Sequence, residues 1–173
     1  MESVVYHGTT KNNAETVLRE RKFNASNGNR HWLGNGVYFY TQEYFSYRWV
    51  YNMCKSERKK KRKDCVSKCD ETKCLDDIFD KYSILVSRIC LSENKVLDLD
   101  SIDGRVWLHR MLKEFYETVN EILEDDKKYM LGTLINFVFN EPEIADYYRE
   151  LYHVIACSFN TFNHIKYRDW RLG

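Results

Sequence analysis

Apolar positions in this chain change spacing repeatedly, and each change predicts an element. Val4-Val5-Tyr6-His7 is a β-prone run that leads into Gly8. Thr9 and Thr10 offer an N-cap, and Ala14, Val17 and Leu18 recur at helical spacing, predicting a helix over about 11–21. Residues 23–30 are polar and contain Asn27-Gly28-Asn29, a loop signal. Gly34-Asn35-Gly36 precedes Val37-Tyr38-Phe39-Tyr40, which predicts a strand, and Thr41 can cap a helix over about 42–54. Tyr82 to Leu91 predicts a strand with Ile84, Val86 and Ile89 facing inward, and Val96 to Asp100 a second, shorter one.

Farther along, the period lengthens. Leu108, Met111, Leu112, Phe115, Val119 and Ile122 fall on one face of a helix near 104–124. Leu131, Leu134, Ile135 and Val138 mark another near 127–140, which Pro142 ends. Tyr152 to Phe159 is β-like, and His164 to Tyr167 predicts a final strand. No internal repeat is visible. Strands toward both ends with helices between them predict a single mixed domain over 1–173, of the α+β class.

Between about 55 and 79 the pattern lapses into a charged insert. Lys55, Arg58, Lys59, Lys60, Lys61, Arg62 and Lys63 form a basic run, followed by Asp70, Glu71, Asp76, Asp77 and Asp80. Such runs are mostly solvated loops. Clustered cations also suit phosphates, so Lys55 to Lys63 is a candidate nucleic-acid contact. Cys54, Cys65, Cys69 and Cys74 belong to the same region, but they lack the Cys-x-x-Cys knuckle of zinc ribbons, and no metal is expected. Cys90 and Cys157 lie in strand-like runs and read as core residues.

The whole chain of 173 residues has a net charge of only +1, so it has no strong overall field although its charge is unevenly spread. No window has the apolar length of a membrane span, and Met1-Glu2-Ser3 does not open like a signal peptide. A cytoplasmic protein with reduced thiols and no membrane partner is the expectation. His31, His109, His153 and His164 sit in no paired motif.

Two segments carry candidate chemistry. One is Tyr6-His7-Gly8-Thr9-Thr10, and the other is Trp32-Leu33-Gly34-Asn35-Gly36-Val37-Tyr38-Phe39. Singly, each is a common arrangement: a histidine beside a glycine, and a Gly-x-Gly turn before a strand. Together, in this order and about thirty residues apart, they resemble the donor half of the poly(ADP-ribose) polymerase-like ADP-ribosyltransferases. That family carries a strand ending in His-Gly-Thr or His-Gly-Ser, then a helix, a loop and Gly-x-Gly-[Val/Ile]-Tyr-Phe. The resemblance covers about residues 4–50.

The resemblance implies an ADP-ribosyltransferase-like domain with a split central β-sheet flanked by helices, and NAD as co-substrate. It implies that His7 bonds a ribose hydroxyl, that the Gly8 backbone pairs with the carboxamide, and that the Tyr38 ring stacks on nicotinamide. Trp49 matches the family's second stacking position, with Tyr47 and Tyr51 as near alternatives. Thr9, Thr10, Ser26, Gly36 and Ser46 complete the implied NAD-binding set, Thr10 and Ser46 as hydroxyl contacts to the carboxamide.

The family's third catalytic position, often a Glu on a late strand, aligns with Ile155, an isoleucine typical of mono-ADP-ribosylating members. Glu150 is the nearest upstream acid, with Glu141 and Glu143 in the preceding loop. Residues 140–149, with Tyr147 and Tyr148, correspond to a loop that contacts the acceptor. The implied activity is transfer of ADP-ribose to a macromolecular acceptor, protein or nucleic acid. An NAD glycohydrolase and a non-catalytic module binding ADP-ribose or nucleic acid stay open as alternatives. A toxin or a defence effector would suit a free-standing domain of this kind.

Overall fold

The computed structural model describes residues 2–28, 31–62, 80–90, 92–123, 129–152 and 154–156. Cys65, Cys69, Cys74, His153, Cys157, the acidic part of the insert, the end of the late strand and the strand expected at His164–Tyr167 lie outside these residues. Helices and strands are mixed, as the α+β reading expects. Among the described residues the strands form two two-stranded sheets, one in each of two compact units.

The first unit comprises residues 1–24 and 37–90. Its strands β1 (Glu2–Thr10) and β2 (Tyr82–Cys90) pair antiparallel in one unbroken register, from Glu2 opposite Cys90 to Thr10 opposite Tyr82. The strand expected at Val4–His7 thus continues through Gly8 and Thr9 to Thr10. Helix α1 (Lys11–Glu20) follows directly, because the Thr10 hydroxyl accepts from Asn13 N–H at 3.3 Å. Arg21 ends it in the left-handed region, with φ of 52°.

On its other edge β1 meets the chain at Tyr40, where each Tyr6 and Tyr40 N–H donates to the other's carbonyl at 2.8 Å. The strand expected at 37–40 is this single bridge, with no ladder. Helix α2 (Glu43–Arg62) overruns its expected end by two turns. Lys, Arg and Glu are good helix formers, so the start of the basic run continues the helix instead of forming a loop. Its buried face is Ser46, Val50 and Cys54, four residues apart each, against Tyr82 of β2. In β2 it is Leu85 that is buried; of the inward set read from sequence Ile84 and Ile89 are half-buried but Val86 is 63% exposed, and Cys90, read as a core residue, is exposed. Alternation reveals two faces but not which one the helices cover.

The second unit comprises residues 25–36 and the chain from 91 onward. After a single 3₁₀ turn at Glu93–Lys95, β3 (Val96–Asp98) pairs in parallel with β4 (Val154–Ala156). Helix α3 (Ile102–Leu123) starts where Ser101 Oγ accepts from Gly104 N–H at 3.0 Å. Helix α4 (Met130–Asn140) packs on it, and α5 (Ala145–Leu151) follows the turn at Pro142. Leu99, Val119, Leu134 and Val138, all fully buried, centre a core of leucine, valine, isoleucine and methionine from α3, α4 and β3. Gly104 lets α3 approach the end of β3, since a Cβ there would lie 1.9 Å from the Asp98 carbonyl oxygen.

Candidate functional site

His7 is held within the first unit by its own strand and by the segment that bridges to it. Its Nδ1 lies 2.7 Å from the Tyr38 carbonyl oxygen, across 31 residues of sequence. A carbonyl can only accept, so Nδ1 carries the proton. In the neutral ring, Nε2 is then the acceptor, and it is the nitrogen left for a ligand hydroxyl. Two phenylalanines fix the ring plane. Phe23 meets it edge-on at 5.4 Å, Phe39 lies tilted at 5.7 Å, and the two phenylalanines contact each other at 5.0 Å.

Gly8 is the next residue and its environment is different. Tyr6 exchanges both of its backbone hydrogen bonds with Tyr40, so its N–H and C=O point away from β2. Gly8, two residues on, points its N–H and C=O to the same edge, where none of the described residues bonds them. The side-chain face of Gly8 is closed. A Cβ there would lie 2.7 Å from Val50 Cγ2, 2.8 Å from the Ser46 carbonyl oxygen and 3.2 Å from Trp49 Cε3. Glycine therefore allows α2 to lie directly on β1 and leaves a backbone amide on an open strand edge.

Three of the residues read from sequence as NAD contacts thus come together at Gly8: the glycine itself, Ser46 and Trp49. They differ in availability. Ser46 is fully buried, and its hydroxyl donates to Glu43 O at 2.7 Å within α2. Trp49 is 38% exposed beside the glycine. Thr9 is buried in β1, and the Thr10 oxygen serves as the α1 cap. Tyr38 reaches His7 through its backbone carbonyl, and its side chain is partly exposed. Tyr40 is partly buried, which raises its phenol above the ordinary tyrosine value by desolvation.

The remaining candidates belong to the second unit. Ser26 and Gly36 form an antiparallel bridge, with N–H to O distances of 2.9 and 3.0 Å, and Ser26 Oγ donates to Gly36 O at 2.9 Å. A Cβ on Gly36 would meet nothing within 4 Å, so this glycine borders open space. The turn glycine is Gly34, with φ of 77°. Asn136 of α4 fixes the loop by accepting from Asn35 N–H, and the Asn35 side chain accepts from Gly28 N–H at 2.8 Å. Gly132 of α4 makes room for it, since a Cβ there would lie 1.7 Å from the His31 carbonyl oxygen.

Ile155 is the middle residue of β4, opposite Leu97, and packs against the core of this unit. Glu150 lies in the last turn of α5, not at a strand start. Its side chain is exposed, and its carbonyl accepts from Lys95 Nζ. Tyr148 has a raised phenol, by burial first and then by the charge of Glu114 and by Tyr147. Sequence reasoning missed Phe23, Gly132 and Asn136, and named Phe39 only as part of the second motif. Only Asn136 left a signal, as a polar residue within the apolar run Leu131 to Phe139. Among the described residues, no cluster of His, Cys, Asp or Glu is arranged to hold a metal ion, and no helix is long and apolar enough to cross a membrane.

No protein-family model matches the chain, and no solved structure matches it. The chain is similar to an uncharacterized protein of Methanocaldococcus jannaschii, with 24% identity over 157 residues, which is 90% of this chain. It spans 64% of the length of that relative.

Proposed function

We propose that this chain is an NAD-dependent mono-ADP-ribosyltransferase on an ADP-ribosyltransferase-like fold, with donor chemistry at His7, Gly8 and Tyr38. One observation carries the reading: the 2.7 Å hydrogen bond from His7 Nδ1 to the Tyr38 carbonyl, which joins the two motifs that resemble the transferase donor half. It leaves Nε2 to accept from a ribose hydroxyl. The Gly8 N–H and C=O, which none of the described residues bonds, offer the complementary pair that a carboxamide needs, and Trp49 stands beside them as an aromatic wall.

In the proposed reaction, the bond between ribose C1′ and the nicotinamide nitrogen breaks, and its electron pair leaves with nicotinamide. A nucleophilic atom of the acceptor bonds C1′ and gives up its proton. The protein contributes mainly by holding the donor so that C1′ faces the acceptor. In the resemblance Ile155 aligns with the position at which polymerising members of that family carry an acid, which favours single transfers to an acceptor that brings its own carboxylate. That position also disfavours water as the acceptor.

The test is nicotinamide release by the native chain beside His7→Ala and Tyr38→Ala, followed by chromatography. The native chain is expected to turn over NAD, His7→Ala to lose about a hundredfold or more in kcat/KM, and Tyr38→Ala to raise KM about tenfold. Equal behaviour of the three chains would end the reading. Transfer of labelled ADP-ribose to added protein or RNA then separates a transferase from a glycohydrolase.

A further inference from the structure

Helix α2 buries one face and presents a second, chemically uniform face to solvent. Tyr44, Arg48, Tyr51 and Lys55 are spaced by four, three and four residues, the spacing of a single straight stripe on an α-helix. All four are exposed, Tyr44 at 63% and Tyr51 at 37%. The same register passes through positions 58 and 62 of the helix, both arginine in the sequence. The stripe holds no acid. At 3.6 residues per turn, Glu43 and Glu57 lie about 100° or more from its centre line.

Rings and cations therefore alternate along the stripe. Tyr44 and Tyr51 are seven residues apart, or about 10 Å of helix rise, and a cation stands on the C-terminal side of each. Lys55 Nζ already lies over the Tyr51 ring, 6.0 Å from its centroid, at the outer limit of a cation–π contact. A weakly held ammonium over an exposed ring gives way to a flat base and remains beside the phosphate of that base. An acidic protein surface would use the cations but leave the two exposed rings without a role. Duplex nucleic acid hides its base faces and would do the same.

We infer that this face of α2 binds single-stranded nucleic acid, with Tyr44 and Tyr51 stacking on bases and Arg48 and Lys55 holding phosphates. On the helix the stripe lies roughly opposite Ser46 and Val50, which face Gly8, and its binding requires no NAD. It gives a nucleic-acid strand a place on the protein independent of any transfer chemistry.

The experiment is fluorescence anisotropy of the full chain with labelled oligothymidine and oligouridine of about 20 nucleotides, with no NAD present. Controls are a duplex of equal length and polyglutamate as competitor. The expected result is binding of single strands at least tenfold tighter than duplex and little displacement by polyglutamate. Tyr44→Ala with Tyr51→Ala should weaken binding tenfold or more while far-UV circular dichroism and melting temperature stay unchanged, because both side chains are exposed. Arg48→Gln should weaken binding several-fold and flatten its dependence on salt. Undiminished binding by the double tyrosine variant, equal affinity for duplex, or full displacement by polyglutamate would overturn the inference, the last in favour of an acidic protein partner.

Discussion

The two units solve their packing problems differently. In the second, long side chains from α3, α4 and β3 interlock in a continuous core around Leu99, Val119, Leu134 and Val138. In the first, the buried apolar set among the described residues is small: Val50, Cys54 and Tyr82 in one cluster, with Val5, Ala14 and Leu85 also buried. The absence of a side chain at Gly8 is what lets α2 lie directly on β1. The His7 and Gly8 candidates sit in this unit, on a strand whose edge beyond Tyr6 is unpaired among the described residues. A strand edge cannot both complete a ladder and offer free N–H and C=O groups to a ligand. The difference teaches that the candidate site uses backbone left unpaired by the fold, while the bulk of the hydrophobic stabilisation lies elsewhere.

The comparison can be broken most directly by truncating one leucine in each unit. Leu134→Ala should cost about 4 kcal/mol in urea unfolding, and Leu85→Ala about 2 kcal/mol, because the Leu134 cavity is enclosed and the Leu85 site is nearer the surface. Equal losses would show that the first unit is better packed than its side-chain inventory suggests. Glycine substitutions sharpen the same contrast. Gly8→Ala should cost about 2 kcal/mol by pushing on the Ser46 carbonyl and Val50. Gly36→Ala, which meets nothing, should stay within about 0.5 kcal/mol.

The smallest expected effect is one of pH. Burial raises the Tyr40 phenol above its ordinary value of 10.0. Below that value the group is neutral in both the folded and unfolded states. As pH rises past it, the unfolded chain loses the proton first, so stability falls through the folded-state value. Melting temperatures measured between about pH 9 and 11 should fall less steeply for Tyr40→Phe than for the native chain. Parallel slopes would show that Tyr40 titrates like a tyrosine in water.

Much of the architecture is legible because it is periodic. The helix over Ile102–Leu123 begins and ends close to its expected limits, since its apolar residues recur where one buried face requires them. The overrun of α2 was hidden by a charge run whose residues favour helix as readily as solvent. The inward choice of Val86 failed because alternation fixes two faces without saying which is covered. For the candidate site, the His-Gly-Thr and Gly-x-Gly-Val-Tyr-Phe segments were visible as local patterns. The phenylalanine pair around His7 was not, because Phe23 and Phe39 meet only when the chain folds back.

The sequence by itself determined where helices and strands can form, and which short segments carry a histidine, bare backbone and aromatic rings close together along the chain. These are local properties, decided by neighbours within a few residues. Tertiary structure alone decided that the Tyr38 carbonyl sets the His7 proton, that Gly8 is filled by α2 on one side and open on another, and that Gly132 and Asn136 cradle the Gly34 turn. Each of those joins residues far apart in sequence, and the closeness of such groups is fixed by the packing of whole elements rather than by any preference of the residues themselves.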